Sequence, residues 1–419
     1  MFKTLKNAFK IPELRKKIGF TLLMFFVIRL GAHVPVPGVD SSVIKDFLSN
    51  QDGVLGLMGA LSGGAFENMT IFAMGIGPYI NASIIMNLLT IAITKLEELQ
   101  KEGEEGKKKI EKYTRYATII LAAIQAFGIT YGFRNGGLFI QPGLWSYIVA
   151  IVSLTAGTAF LMWIGEQITQ KGIGNGISII IFVNIISRAP QGLGALLQYE
   201  KPVATAILLV LFLMMVAFVV LIQEGERRIA VQYAKRTSGR KVYGGQSTHI
   251  PLKVNMAGVI PVIFAMSLLS FPATITQFFT ANPTGFWGTI LKWLNLNHWF
   301  GALFYILLIL FFTYFYTSIT FNPIEVADNM KKSGGFVPGI RPGKPTVEYL
   351  TRSLNYITLA GAAFLAIIAL APVVFTAIFK MNISIGGTSL LIVVGVALET
   401  VKQLEAQMLM RHYKGFLNS

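Results

Sequence analysis

The 419-residue sequence contains no cysteine, which excludes a disulfide framework, a thiolate metal site and a thiol nucleophile. Charged residues are also scarce: they make up 13% of the chain, whereas a soluble domain carries about 25%. The four histidines are scattered along the chain and form no HExxH pair, so no metal site is expected. What is abundant is hydrophobic sequence, at 53% of all residues.

Motifs for nucleotide binding and covalent catalysis are missing as well. Residues 172–176, GIGNG, lack the GxGxxG spacing and a preceding βαβ unit, and residues 339–345, GIRPGKP, lack the Ser or Thr of a P-loop. No GxSxG nucleophile elbow is present. The sequence therefore predicts a protein that is not an enzyme and carries no cofactor.

Apolar runs close to the bilayer-spanning length of about 20 residues recur throughout the chain. They predict a polytopic, all-α membrane protein with ten transmembrane helices, at 18–37, 69–93, 117–133, 145–164, 177–197, 203–222, 256–279, 301–321, 354–379 and 383–401. With both termini on one side, that side holds 29 of the 36 Lys and Arg residues. The positive-inside rule then places both termini in the cytoplasm. The basic opening of the chain is not followed by a small-residue cleavage site, so we expect it to be retained.

The predicted spans contain one clear charge, Arg29, which either snorkels or faces a neighbouring helix. Ion-coupled transporters usually need more ionisable residues inside their spans, which argues against a secondary solute transporter. A transporter is therefore kept only as the alternative function, and an intramembrane enzyme is a more distant alternative. The spans instead contain uncharged polar residues, which are often inter-helix hydrogen-bonding groups: Asn81, Asn87, Gln125, Asn184 and Asn255.

Residues 59–85, GALSGGAFENMTIFAMGIGPYINASII, interrupt the second span. Gly63-Gly64 breaks its start, Glu67 and Asn68 follow, and Gly75, Gly77 and Pro78 lie where a span should be regular. A plain membrane anchor has no use for these interruptions. Irregular backbone at membrane depth is tolerated only where it is buried in protein or lines a water-filled cavity.

Two cytoplasmic loops, 223–255 and 322–351, are about 30 residues each and therefore longer than a connection requires. Alternating Ile229, Val231 and Tyr233 predict a hairpin in the first loop, with Arg240 and Lys241 at its tip. The second loop predicts a short helix followed by a Gly- and Pro-stiffened turn that presents Arg341. Such basic tips are typical of solvated surface, of anionic-lipid contact, or of docking to an acidic partner such as RNA or protein.

Five stretches together resemble the SecY family, the channel subunits of the bacterial Sec protein translocon. They are RLGAHVPVPGVD, FAMGIGPYINASII, GEQITQKGIGNGISIIIF, QSTHIPLKVNMAGVIPVIFA and KKSGGFVPGIRPGKPT. The similarity runs from the first predicted span to the tenth, with matching loop order.

The resemblance implies two pseudo-symmetric inverted halves around a central pore. Its parts are a cytoplasmic N-terminus (1–17), an N-terminal half (18–188, spans 1–5), an external hinge loop (189–202), a C-terminal half (203–401, spans 6–10, with the cytoplasmic loops 223–255 and 322–351) and a cytoplasmic tail (402–419). Secretory chains would cross between the halves, and hydrophobic segments would leave into lipid between spans 2/3 and 7/8. The implied location is the bacterial plasma membrane.

The implied partners are SecE, SecG, the SecA ATPase, the ribosome, membrane lipid, and nascent or secretory polypeptides with their signal peptides; direct DNA binding is not implied. Energy would come from SecA or the ribosome, which agrees with the missing nucleotide motif.

The resemblance also implies roles for individual residues. A pore ring of bulky apolar side chains corresponds to Ile76, Ile80, Ile181, Ile263 and Ile392. A plug at about 55–68 includes Leu57, Met58, Leu61, Ser62, Gly63 and Gly64. A polar cluster at the lateral gate corresponds to Asn87, Gln125 and Asn255, and docking of SecA or the ribosome corresponds to Arg240, Lys241 and Arg341.

Overall fold

The computed structural model describes residues 7–49, 59, 62–134, 137–197, 202–233, 236–238, 241–243, 247–277, 285–296, 298–379 and 387–417. Helices dominate this part of the chain: α1 Pro12–Gly31, α2 Ser42–Ser49, α3 Gly77–Ala92, α4 Thr94–Lys101, α5 Glu104–Gly132, α6 Leu144–Lys171, α7 Gly176–Leu197, α8 Pro202–Glu224, α9 Ile260–Gln277, α10 Gly285–Leu294, α11 Trp299–Thr320, α12 Pro323–Lys332, α13 Lys344–Phe379 and α14 Gly387–Leu417. Short strands lie in the two long loops: β1 Glu226–Tyr233, β2 Arg236–Ser238, β3 Lys241–Tyr243, β4 Ser247–Lys253 and β5 Gly335–Phe336.

Within these described ranges, four helices are long and apolar enough to cross a bilayer: Leu144–Lys171, Thr205–Glu224, Trp299–Lys332 and Lys344–Phe375. A fifth candidate is the pair α3 and α4, which meet at an angle of 98°. The structure thus describes a predominantly helical protein with several apolar helices, and the count of ten spans stays a prediction.

The second predicted span begins as a helix later than the sequence predicts. Its helical part starts only at Gly77, not at residue 69, because Gly75 has a φ of +56° and Pro78 favours the first turn of a helix. Residues 63–76 form successive turns and one β-bridge, between Pro35 and Thr70. We call residues 62–76 the turn segment.

The external hinge was expected at 189–202, but α7 continues as a helix through Pro190 to Leu197. Proline is tolerated in the first turn of a helix. Pro190 instead lies inside α7, where it removes one backbone hydrogen bond. The described helix thus covers residues 189–197 of the expected hinge, and residues 198–201 lie outside the described part of the chain.

The largest hydrophobic cluster joins buried residues of α1, α3, α6, α7, α8, α9, α11, α13 and α14. Other apolar side chains point outward, such as Val210, Leu213 and Leu221 on α8, which are at least half exposed. An apolar outer surface around an apolar core is what a helix in lipid requires, since lipid tails are as apolar as the protein interior.

The two long loops, 223–255 and 322–351, form one small unit with its own core. The predicted hairpin is confirmed: β1 pairs antiparallel with β4 from Glu226↔Lys253 to Gln232↔Ser247. The second loop adds β5 to the other edge of β1, giving the order β4-β1-β5. Its core contains Ile229, Val231, Leu252, Ala327, Met330, Val337 and Leu350. We call this unit, the described residues of 226–253 and 323–350, the cap.

Residues at the two ends of α12 explain why this helix forms. Asn322 caps α12, because its side-chain oxygen accepts hydrogen bonds from the backbone N–H groups of Ile324 and Glu325. Pro323 occupies the first turn, and Lys331 and Lys332 lie in the last turn, where cations favour the helix dipole. The short helix predicted in this loop is therefore confirmed.

Candidate functional site

The five isoleucines singled out in the sequence are all buried in the same hydrophobic cluster. They come from four helices or their ends, and each is at most 6% exposed. All belong to the largest hydrophobic cluster: Ile76, Ile80, Ile181, Ile263 and Ile392. Ile76 and Ile80 lie one turn apart, since the backbone N–H of Ile80 donates to the carbonyl of Ile76 at 3.0 Å. We call these five residues the waist.

A cavity of about 440 Å³ borders the waist. Ile80, Ile181 and Ile263 form part of its wall, and the rest combines polar side chains with further apolar ones such as Ile260 and Phe264. The polar part of the wall includes Arg115 and Glu166, which form an ion pair between α5 and α6. Three of the five waist residues therefore border a cavity that polar and apolar side chains line together.

Helices on the two sides of the predicted seam, between spans 2/3 and 7/8, are in contact. Helix α9 packs against both α3 and α5. The side-chain amide of Asn87 on α3 donates a hydrogen bond to the hydroxyl of Tyr316 on α11, at 2.9 Å. Helix packing and this hydrogen bond therefore join the two sides in the described part of the chain.

The other two predicted gate residues are placed differently. Gln125 is buried on α5. Asn255, directly before α9, is 5% exposed and its side-chain amide has no hydrogen-bond partner among the described residues. It lines a second cavity of about 540 Å³ that also includes Tyr316. Tyr316 was missed by the sequence reasoning, because it lies in the aromatic run FFTYFYTS and nothing in that run distinguishes it.

The described part of the predicted plug is a set of turns. Leu57, Met58 and Leu61 lie outside the described residues. The hydroxyl of Ser62 donates to the carbonyl of Gly59 at 3.0 Å and accepts from the N–H of Phe66 at 3.2 Å. Gly63 and Gly64 have φ angles of +65° and +86°, which favour glycine.

The turn segment is wedged between helices by close backbone approach. A Cβ on Gly157 of α6 would lie 1.8 Å from the carbonyl oxygen of Ile71, so only glycine leaves room there. The N–H of Ile71 donates to the carbonyl of Val34, and the N–H of Val36 donates to that of Met69. The segment is thus held just beyond the C-terminal end of α1 and against the middle of α6, and it leads directly to Ile76.

Two of the three predicted docking residues lie in the described part of the chain. Arg240 lies outside the described residues, and Lys241 begins β3. Arg341 is exposed on the cap, and its carbonyl accepts a hydrogen bond from the hydroxyl of Thr346 at 2.9 Å. Gly339 and Gly343, with φ angles of +81° and +104°, allow the tight turns on either side. Arg341 is therefore presented to solvent by an ordered backbone.

Comparison with known proteins agrees with this arrangement. The model of the SecY family matches residues 70–401. The chain is 48% identical to the protein translocase subunit SecY of Halalkalibacterium halodurans and 46% identical to that of Bacillus subtilis strain 168, in each case over all of both chains.

Solved structures share the fold at low sequence identity. One described as a protein-conducting channel has a TM-score of 0.66 at 18% identity, covering 96% of this chain and 97% of the other. Sec61 in a canine ribosome–channel complex from the endoplasmic reticulum has a TM-score of 0.63 at 18% identity, with the same coverage. The fold, and an identity near one half over the whole length, lead to one conclusion: the chain belongs to the SecY family.

Proposed function

We propose that this chain is the channel subunit of a protein translocase, which conducts unfolded secretory proteins across a bacterial plasma membrane and releases transmembrane segments sideways into it. One observation carries the proposal. Five isoleucines from separate parts of the chain are buried in one hydrophobic cluster, and three of them line a cavity that also carries polar side chains.

The apolar side chains of the waist suit the passage of a polypeptide of any sequence. Bulky apolar side chains can close around an extended polypeptide, and the constriction dewets when the polypeptide is absent. Rings of charge would instead select particular ions. The turn segment, which leads into Ile76 from the outer side, serves as the end of a plug that adds a second seal in series.

The seam provides the lateral exit. The hydrogen bond between Asn87 and Tyr316 links α3 to α11, and such contacts in membranes contribute only about 0.6 kcal/mol on average. A seam held by contacts this weak can part for a hydrophobic segment and close again. Gln125 and Asn255 act with Asn87 at this seam.

The surrounding architecture follows the family pattern: ten spans in two inverted halves, with both termini in the cytoplasm. SecE clamps the halves, SecG lies at the periphery, and the cap docks SecA or the ribosome through Arg240, Lys241 and Arg341. The chain performs no catalysis of its own, and its partners supply the energy.

Reconstitution tests the proposal directly. The complex with SecE, placed in vesicles with SecA and ATP, should protect a secretory precursor from added protease, and omission of ATP should abolish protection. Saturable uptake of a small solute without any precursor protection would favour a solute transporter and contradict the proposal.

The topology has its own test, which the lack of cysteine makes clean. Single cysteines at Lys45 and Lys292, both exposed, should react with an impermeant thiol reagent from the outside, and a cysteine at Arg341 only from the cytoplasm. The opposite pattern at either site would overturn the assignment of sides.

A further inference from the structure

The turn segment carries one of the ion pairs between distant parts of the chain. Glu67 of the segment and Arg188 of α7 form it, and their side chains are 33% and 18% exposed. A Cβ on Gly59 would lie 3.3 Å from the Glu67 carboxylate and 3.4 Å from the Arg188 guanidinium. The pair therefore occupies a packed position at the outer side and is not a solvated surface contact.

A second arginine joins the same place from another helix. The guanidinium of Arg29, in the last turn of α1, donates to the hydroxyl of Ser187 at 2.9 Å and to the carbonyl of Gly63 at 3.4 Å. The hydroxyl of Ser187 in turn donates to the carbonyl of Asn184 at 2.7 Å. The one charge that the sequence places in a span thus links α1, the turn segment and α7.

The backbone of the segment also lies directly on α7. A Cβ on Gly63 would lie 3.0 Å from the Cα and 3.1 Å from the Cβ of Asn184. At the other end of the segment, a Cβ on Gly75 would lie 3.8 Å from the Cα of Ser62. Ile76 of the waist directly follows Gly75. The contacts that hold Ser62 and Gly63 against α7 therefore also hold the end of the segment beside the waist.

We propose that the Glu67–Arg188 ion pair, together with Arg29, is a latch that positions the turn segment against α7 and keeps the channel closed at rest. This inference rests on the proposed function, since it assigns the segment a sealing role. The three residues are positioning residues: they contact the segment, and through it they act on the waist.

The strength of the latch suits a device that must open. Ion pairs with partial exposure contribute modestly, whereas removal of one partner leaves a partly buried charge without compensation. Neutralising either residue alone should therefore shift the closed–open equilibrium by roughly tenfold, and exchanging the two charges should restore most of it.

The experiment uses the reconstituted complex with SecE in planar bilayers, without SecA or precursor. Glu67→Gln and Arg188→Gln should each raise the resting ion conductance about tenfold. The exchanged double variant Glu67→Arg/Arg188→Glu should return toward the original value. A matched control neutralises Glu97 and Lys101 of α4, an exposed ion pair, and should leave conductance unchanged.

A second readout reports the position of the segment itself. Ser62 is 5% exposed, and the chain has no other thiol, so a Ser62→Cys probe should react slowly with an impermeant reagent. The reaction should accelerate in the Glu67→Gln background and slow again in the exchanged variant. Equal leak and equal labelling in the exchanged and single variants would show that the charges do not act as a pair, and would overturn the latch.

Failure of the latch and failure of the channel are separable with Ile80→Ser/Ile263→Ser, which alters the waist and leaves the latch intact. If this variant leaks while the latch variants stay silent with Ser62→Cys protected, the latch is wrong and the channel stands. If no variant leaks, even in combination, the waist does not line a pore and the proposed function fails with it.

Discussion

The waist and the cap are both built around buried aliphatic side chains, yet the proposed channel uses them in opposite ways. In the cap, Ile229, Val231 and Leu252 form an interior that fixes a sheet, and the proposal leaves the charges outside it to meet a partner. At the waist, the proposal makes the buried isoleucines themselves the working surface, beside a cavity lined by both polar and apolar side chains. The same residue type would then be a scaffold in one region and a seal in the other, because in the proposed channel only the waist lies across a path that water could follow.

The largest effect is expected from making the waist wettable. Ile80→Ser/Ile263→Ser should give a folded complex that leaks small ions at rest, because hydroxyl groups stabilise water in the constriction. Single changes are masked by the remaining side chains. Deletion of residues 57–65 should add to the leak by removing the second seal. Conductance of the purified complex measures both, and silence in the combined variant would mean that these isoleucines are ordinary packing residues.

Charge reversal at Arg341 of the cap should have the opposite effect: translocation is lost while no ion leak appears. Arg341→Glu should reduce SecA-driven precursor translocation at least tenfold while the resting channel stays silent, because Arg341 is exposed and its charge orients a partner. Protease protection of the precursor measures the loss, and copurification with SecE reports that the channel is intact. The neighbouring exposed Lys344→Glu serves as a comparison for overall charge. Normal translocation by Arg341→Glu would remove this loop from docking.

A smaller effect is expected in the core of the cap. Leu252 is fully buried, and Leu252→Ala should destabilise the cap by about 2–5 kcal/mol. Proteolysis within the loop 223–255 should accelerate and SecA-driven translocation should fall, with no ion leak. A leak from this variant would show that the cap and the waist are coupled, against the separation drawn above.

The smallest effect is expected at the seam. Tyr316→Phe removes the hydroxyl that accepts from Asn87 and keeps the ring, so it should ease opening by only about threefold, in line with about 0.6 kcal/mol for such a bond. Crosslinking between cysteines placed on α3 and α11 should fall by a similar factor. Asn87→Ala should match it, and the double variant should add little. Independent, additive effects would show that the two side chains do not act through one bond.

Much of the molecule followed from local pattern alone. Apolar runs and the Lys and Arg distribution predict a membrane protein and its orientation, because burial in lipid and charge bias act on each segment separately. The alternation around Ile229 and Val231 predicted the hairpin that β1 and β4 form, since strand pairing across one loop is a local matter. The glycines at 63, 64 and 75 marked the interrupted span, because positive φ is a property of single residues.

Only the tertiary structure decided which of these parts meet. Glu67 pairs with Arg188 across 121 positions of sequence, and Asn87 binds Tyr316 across 229. The addition of β5 to the edge of β1 likewise joins two loops separated by α9, α10 and α11. No periodicity encodes such partners. They are set by how the helices pack, and packing depends on the shapes of all the side chains in the bundle together, not on any one segment.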